Sequence, residues 1–283
     1  MILLTGATGT SGQPILQALL DRSERVRALV RDPLKAAKEL GDDVELVRGD
    51  FDDPASLDAA MEGVDRALLH SPPSNEIVRQ QRNFIDAAKR NGIGHIVKFS
   101  VWGADANSKS LFDSLHGQGE AMLKSSGIAW TMLQPTFFMQ NFPGVASMIK
   151  GGAIYMPTGN GKAAFIDVRD IAAVAAAALS EDGHAGKAYE LGGPQSLSYA
   201  DVAATFSKVL GRAVKHVDIP PDAAKKSMMD AGLPQWRAEA INQLSAHMKA
   251  GNYDRTNDNV KRIGGKDPIT LDSFIRENVA AFT

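Results

Sequence analysis

The sequence predicts an α/β fold: a doubly wound parallel sheet over residues 1–150 and a smaller C-terminal α/β lobe over residues 151–283. Three features predict it. Short apolar runs alternate with amphipathic helical runs through the first half of the chain, as parallel strands joined by helical crossovers require. Three evenly spaced glycines, Gly6, Gly9 and Gly12, separate the first apolar run from the first helical one. Beyond residue 150 the alternation gives way to loops marked by Gly151, Gly152, Pro157, Gly159 and Gly161, with a possible hairpin among them.

Ile2–Leu4 fits a buried strand and Pro14–Leu20 a helix. Glycines between them let the backbone turn tightly and come close to a ligand. The helix behind aims its free N–H groups and positive dipole end into that turn, an arrangement that binds a pyrophosphate. Thr5, Thr8, Thr10 and Ser11 add hydroxyls there. A strand–glycine loop–helix at this place reads as a dinucleotide-binding (Rossmann) unit rather than an ordinary tight turn.

The second strand, Arg25–Val30, ends at Arg31 and Asp32, where such folds meet the adenosine ribose. An acid there holds the 2′-hydroxyl of NAD, whereas an arginine accepts the 2′-phosphate of NADP. Arg31 comes first and Lys35 follows one helical turn on, so NADPH is expected in preference to NADH. The third strand, Val44–Val47, leads to Asp50 and Phe51, placed to meet the adenine; the alternative for Asp50 is a cap on the next turn. A helix starts at Asp53-Pro54 and stops near Gly63.

Arg66–Leu69 is the fourth strand. His70 and Ser71 follow, and two prolines then force an exit over the sheet edge. A helix over Glu76–Arg90 closes at Asn91-Gly92. The fifth strand, His95–Phe99, ends at Ser100; the helix Phe112–Lys124 and the sixth strand, Ile128–Leu133, follow, the latter leading to Pro135, Thr136 and Phe137. Ligands of such sheets bind beyond the carboxyl ends of the strands, where all these residues lie. Asp167 fits the N-cap of an alanine-rich helix over 168–180 that packs back on the sheet, and Asp170 its acidic first turn. Tyr189–Leu191 is a short strand, Ser198 and Asp201 resemble a capping box, and Thr270 fits a cap of the last helix.

The chain has 283 residues and a net charge of −2, with no basic stripe of the kind that nucleic-acid binding needs. It has no cysteine, which excludes disulfides and thiol chemistry. Its six histidines show no metal-ligand spacing, so no metal is expected. No signal-peptide pattern is visible, and the longest apolar run, Ile171–Leu179, is too short for a membrane span. A cytoplasmic monomer or homodimer is expected.

The segments TGATGTSG, VRDP, GDFDDPASL, QRNFIDAAKRNGIGHIVKFSVWGA, HGQGEAMLKSSGIAWTMLQPTFFMQNF and FIDVRDIA resemble the NmrA-like proteins, atypical members of the short-chain dehydrogenase/reductase superfamily. The match is close over residues 1–180 and looser beyond, and the bacterial branch of triphenylmethane dye and quinone reductases is nearest. The resemblance implies bound NADP and a cleft against the smaller lobe. It implies cofactor contacts from Gly6, Thr8, Gly9, Thr10, Ser11, Gly12, Arg31, Asp50, Phe51, His70, Ser71, Ser100, Pro135, Thr136 and Phe137.

One departure bears on mechanism. Standard members of the superfamily use a Tyr-x-x-x-Lys pair as proton donor, and Leu115 and Gly119 occupy those two positions here. Ser100, at the usual serine position, and His116 are the remaining catalytic candidates; a histidine can act as an acid near neutral pH or simply pack in the helix face. Trp102, His116, Phe137, Phe138, Met139, Phe142 and Tyr155 are candidates for a flat apolar substrate pocket, with half of the aromatic side chains expected to be core instead. Two functions fit. One is an NADPH-dependent reductase of a flat, electron-poor acceptor (a quinone, azo compound, triphenylmethane dye or imine) that needs little acid assistance. The other is a non-catalytic NADP-binding redox sensor.

Overall fold

The computed structural model describes residues 1–283. β1 (Ile2–Thr5), α1 (Gly12–Leu20), β2 (Val26–Val30), α2 (Pro33–Leu40), β3 (Glu45–Arg48), α3 (Pro54–Met61), β4 (Arg66–Leu69), α4 (Ile77–Arg90), β5 (His95–Phe99), α5 (Leu111–Ser125) and β6 (Ala129–Pro135) alternate along the first half. A 3₁₀ stretch, Met139–Val145, leads to α6 (Ala146–Lys150), β7 (Ala153–Tyr155), β8 (Lys162–Ala163), α7 (Val168–Ser180) and β9 (Lys187–Leu191). β10 (Leu197–Ser198), α8 (Tyr199–Leu210), β11 (Lys215–Val217), α9 (Pro221–Asp230), α10 (Gln235–Lys249), α11 (Asn259–Gly264), α12 (Leu271–Glu277) and α13 (Val279–Phe282) complete the chain.

Seven strands form one parallel sheet in the order β3-β2-β1-β4-β5-β6-β9. The order reverses beside β1, so a crevice opens between the ends of β1 and β4. Alternate side chains of each strand feed two separate cores. Val97 and Phe99 join the cluster built with α1 and α7, whereas Ile96 joins the one built with α3, α4 and α5. α7 packs along α1 through its alanines.

α11 packs on α7, and most of the other elements share a third core, in which Phe142 lies tilted against Phe165 and edge-on to Phe206, and Phe206 edge-on to Phe282. The glycine-rich stretch after residue 150 is not a hairpin. β7 pairs in parallel with the distant β11, and β8 pairs antiparallel with β10. Partners distant in sequence, rather than each other, supply the hydrogen bonds of β7 and β8.

Local chemistry sets the helix starts. Asp53 and Asp167 cap α3 and α7, Thr270 caps α12, and Ser198 with Asp201 forms a complete capping box on α8. Gly211, in the left-handed region at φ 66°, ends α8. No helix is long and apolar enough to cross a membrane.

Candidate active site

The glycine loop sits at the reversal in strand order. Gly6 lies at φ 72°, a left-handed conformation that favours glycine. A Cβ on Gly12 would fall 1.9 Å from the Gly6 carbonyl oxygen, so α1 packs directly against the turn. Thr8, Gly9 and Thr10 are exposed, and no side chain caps the first turn of α1. The Gly9 and Gln13 N–H groups donate to the Gly6 and Gly9 carbonyls at 2.9 and 3.1 Å, whereas those of Thr10, Ser11 and Gly12 have no partner in the fold and remain available to an anion, which is the fit a dinucleotide pyrophosphate needs. Thr5 is not among the loop donors. It is buried, and its hydroxyl donates to the carbonyls of Leu68 and His70, tying β1 to β4.

At the end of β2, the two charged residues divide their roles. Asp32 caps α2 by accepting from the Lys35 N–H at 3.1 Å. Arg31 is exposed and forms no ion pair within the fold. The guanidinium is thus free for a phosphate while the acid is engaged. The Asp50 carboxylate accepts from the Asp52 N–H at 2.9 Å, a local turn bond. Phe51 is a correction: its ring is buried against Phe84, with centroids 5.8 Å apart, and belongs to the core rather than to an adenine pocket.

Beyond β4 and β5 a polar cluster gathers. A Cβ on Gly6 would lie 3.0 Å from His70 Nδ1, so loop and cluster are in contact. His70 stacks on Phe99 at 4.2 Å, and Phe138 meets Phe99 edge-on at 6.1 Å. Ser71 accepts from Gln81 of α4 at 2.8 Å. Ser100 is buried and donates to Glu120 Oε1 at 2.6 Å; Gln134 at 2.8 Å and Lys124 at 3.2 Å also bond that carboxyl. His116 and Glu120 are four residues apart, so they share one face of α5.

At the centre lies a residue absent from the sequence-based expectations. Lys98 of β5 is fully buried. Its Nζ is 3.3 Å from His116 Nδ1 and donates to Ser100 Oγ at 3.4 Å. Burial lowers its pKa to about 7, with Glu120 opposing and Lys124 adding to the shift. Burial, with the Lys98 charge as second cause, lowers His70 to about 4. The same two causes, then His70, push His116 well below the usual histidine range. His116 is therefore neutral at pH 7.

Gly119 has a steric reason. A Cβ there would fall 1.9 Å from Gln81 Oε1 and 2.8 Å from Lys98 Cε. The strand lysine and the α4 glutamine fill the space that a longer helix residue would take. At Gly117 a Cβ would fall 2.2 Å from the Ala106 backbone nitrogen, so the loop after β5 also presses on α5. The smaller lobe holds the same helix: Gln243 accepts from the Leu111 N–H at 2.8 Å, and His247 meets Asp113 at 3.1 Å.

Three expected pocket residues are core. Trp102, Met139 and Phe142 are at most 3% exposed and lie in the third cluster. An aromatic-rich stretch with such spacing packs inward because the 3₁₀ turn after β6 points it at the lobe interior. Tyr155 is exposed on β7, in a separate two-stranded sheet, with no contact to the polar cluster. Pro135 and Thr136 are buried, and the Thr136 hydroxyl donates to the Ala164 carbonyl. Phe137 and Phe138 remain partly exposed.

The model of the NmrA-like family matches residues 1–275. The chain belongs to the NmrA-like family. It is 38% identical over 283 residues to the NAD(P)H azoreductase of Xenophilus azovorans, covering 100% of this chain and 99% of that one. The NADPH-dependent quinone oxidoreductase of Escherichia coli, solved with NADPH, superposes with a TM-score of 0.92 at 29% identity, covering 99% of this NmrA-like chain and 100% of the other. The Citrobacter triphenylmethane reductase complexed with NADP(H) gives 0.89 at 27% identity, over 98% and 99%.

Proposed function

We propose that this chain is an NADPH-dependent oxidoreductase that reduces flat, electron-poor organic acceptors, namely quinones, azo compounds, triphenylmethane dyes or imines, without a Tyr/Lys pair. The observation that carries the proposal is the contact between the glycine loop and the polar cluster. Gly6 abuts His70, and His70 stacks beside the end of β5. Ser100 and His116, in the same cluster, would be the residues facing a dinucleotide anchored on the loop. The relatives reduce quinones, azo compounds and dyes by name, and they cover nearly the whole chain.

When bound, the cofactor supplies a hydride. This chain supplies the rest. The α1 N-terminus and Thr10 would hold the pyrophosphate, and Arg31 would take the 2′-phosphate. Ser100, locked by Glu120, and the His70–Phe99 stack shape the floor of the crevice. Phe137 and Phe138 present aromatic surface to a flat acceptor, and the lobe beyond residue 150 covers it. Holding donor and acceptor at contact distance supplies much of the rate. A quinone accepts hydride to give a stabilised anion, so it makes small demands on a protein acid.

NADPH oxidation across quinones, azo dyes, triphenylmethane dyes and imines, with cofactor binding measured in parallel, tests the reading. Turnover with at least one acceptor class is expected. Tight NADPH binding with no turnover across the panel would favour the redox sensor. We further propose a cytoplasmic protein acting as a monomer or homodimer, which cell fractionation and light scattering test.

A further inference from the structure

We propose that Lys98 and His116 form a proton-delivery pair in place of the superfamily's Tyr and Lys, and that this pair extends the reaction from quinones to azo acceptors. The proposal rests on the reductase reading above. It starts from the oddity of Lys98: a lysine in the middle of a buried strand, with no carboxylate in direct contact. Glu120, the nearest candidate, is held by Ser100, Gln134 and Lys124 instead. A buried amine without a paired carboxylate is expensive, and a methionine would fill the same space at no such cost. Packing gives no reason for it.

The hydrogen bond to His116 gives one. An ammonium has three donors and no acceptor. Below about pH 7, where Lys98 is charged, His116 Nδ1 therefore accepts from it, which leaves the proton of the neutral ring on Nε2. Nε2 has no hydrogen-bond partner in the fold, on a ring that is half-buried, whereas Nδ1 faces the buried amine. The ring thus has one nitrogen on an internal proton source and the other left free for an acceptor.

Acceptor chemistry makes the pair selective. Hydride addition to a quinone gives a hydroquinone monoanion, which water protonates at leisure. Hydride addition to an azo bond breaks the N=N π bond and leaves charge on nitrogen, a far stronger base that must be protonated as it forms. His116 Nε2–H gives that proton. In the same step Lys98 gives one to Nδ1, so that no imidazolate forms, and becomes a neutral amine, which is recharged from solvent. One hydride from NADPH and one proton convert the azo compound to a hydrazine. NADPH is oxidised by two electrons and the azo group is reduced by two.

The charged and titratable groups facing Lys98 are His116, Glu120 and Lys124 of α5, and His70 after β4; Gln81 of α4 and Ser100 are neutral. Burial brings the amine to about 7, so it gains and loses a proton near neutrality. Azo turnover should accordingly fall as pH rises above about 7, while quinone turnover should not follow it.

The test compares Lys98→Met and His116→Gln with the unaltered protein on one quinone and one azo dye, with NADPH. Losing a proton donor costs roughly 100- to 10,000-fold in rate. The azo kcat should fall by that factor and the quinone kcat by less than about tenfold, with the ratio as the readout. Independently, ¹⁵N NMR of the cofactor-free protein should show His116 as the Nε2–H tautomer. Lys98→Met should raise the His116 pKa, because the nearby positive charge is gone. Equal losses for both acceptors, or an Nδ1–H tautomer, would overturn the relay and leave the reductase reading standing. Absence of quinone turnover in the unaltered protein would overturn the reductase reading itself.

Discussion

Lys98 should make the protein less stable than a version without it. Its amine falls from 10.5 to about 7 on folding. At ~1.4 kcal/mol per pKa unit, that fall amounts to about 5 kcal/mol against the charged native form. Lys98→Met removes this cost and fills a similar volume. It also loses the contacts to His116 and Ser100, worth ~1 kcal/mol each. A net gain of about 3 kcal/mol is expected near pH 6. The sign with pH follows from proton counts. Between about 7 and 10.5 the unfolded chain holds one proton more than the native state, so this residue makes wild-type stability rise with pH across that window. Below about 7 both states carry the charge and the full cost is present. The advantage of Lys98→Met should therefore be greatest at low pH and shrink toward pH 10. Urea denaturation of both proteins at several pH values reads it from the midpoints. A variant less stable than wild type near pH 6, or a gap that does not change with pH, would refute the reasoning.

Gly9→Val should fold yet lose NADPH binding: its Cβ meets only the Gly6 carbonyl oxygen at 3.2 Å, whereas its side chain fills the approach to the loop; calorimetry beside circular dichroism checks both. Gly12→Ala should instead destabilise the fold, because its Cβ would sit 1.9 Å from the same oxygen, and its melting temperature reads this. Arg31→Ala should weaken NADPH by about 1.5–3 kcal/mol relative to NADH, the range for a charge-assisted hydrogen bond, and equal loss for both cofactors would exclude the 2′-phosphate role. Phe142→Ala should cost ~3–5 kcal/mol of stability as a cavity mutation in the lobe core; a KM effect at unchanged stability would return it to the pocket.

The parallel sheet was legible because its signals are local. Most of its strands are short apolar runs, and several helix starts carry an Asp or Ser cap, as at Asp53, Asp167 and Ser198. The glycine loop was legible for the same reason. Pairing between β7 and β11 was not, because strands of three residues, some sixty positions apart, leave no periodic trace. Phe142 and Trp102 read equally well as pocket or core, and only the path of the chain after β6 decides. Lys98 was the main omission, and it did leave a signal. A lysine inside His-Ile-Val-Lys-Phe places a charge within a short apolar run. Gly117 and Gly119 inside a helix, each costing ~1 kcal/mol against alanine, mark close approach by neighbours. Putting those two signals together needs the register of β5 against α5, which sequence spacing does not contain.

The central claim is hydride transfer from NADPH to a flat acceptor in the crevice between the glycine loop and the α5 face. Steady-state reduction of a naphthoquinone, compared with NADPH and with NADPH deuterated at the transferred C4 position, tests it most directly. The account predicts NADPH consumption matched one to one by quinone reduction, and a primary isotope effect on kcat/KM. Tight binding of NADPH with no quinone reduction would contradict it, as would consumption of NADPH at a rate independent of the acceptor.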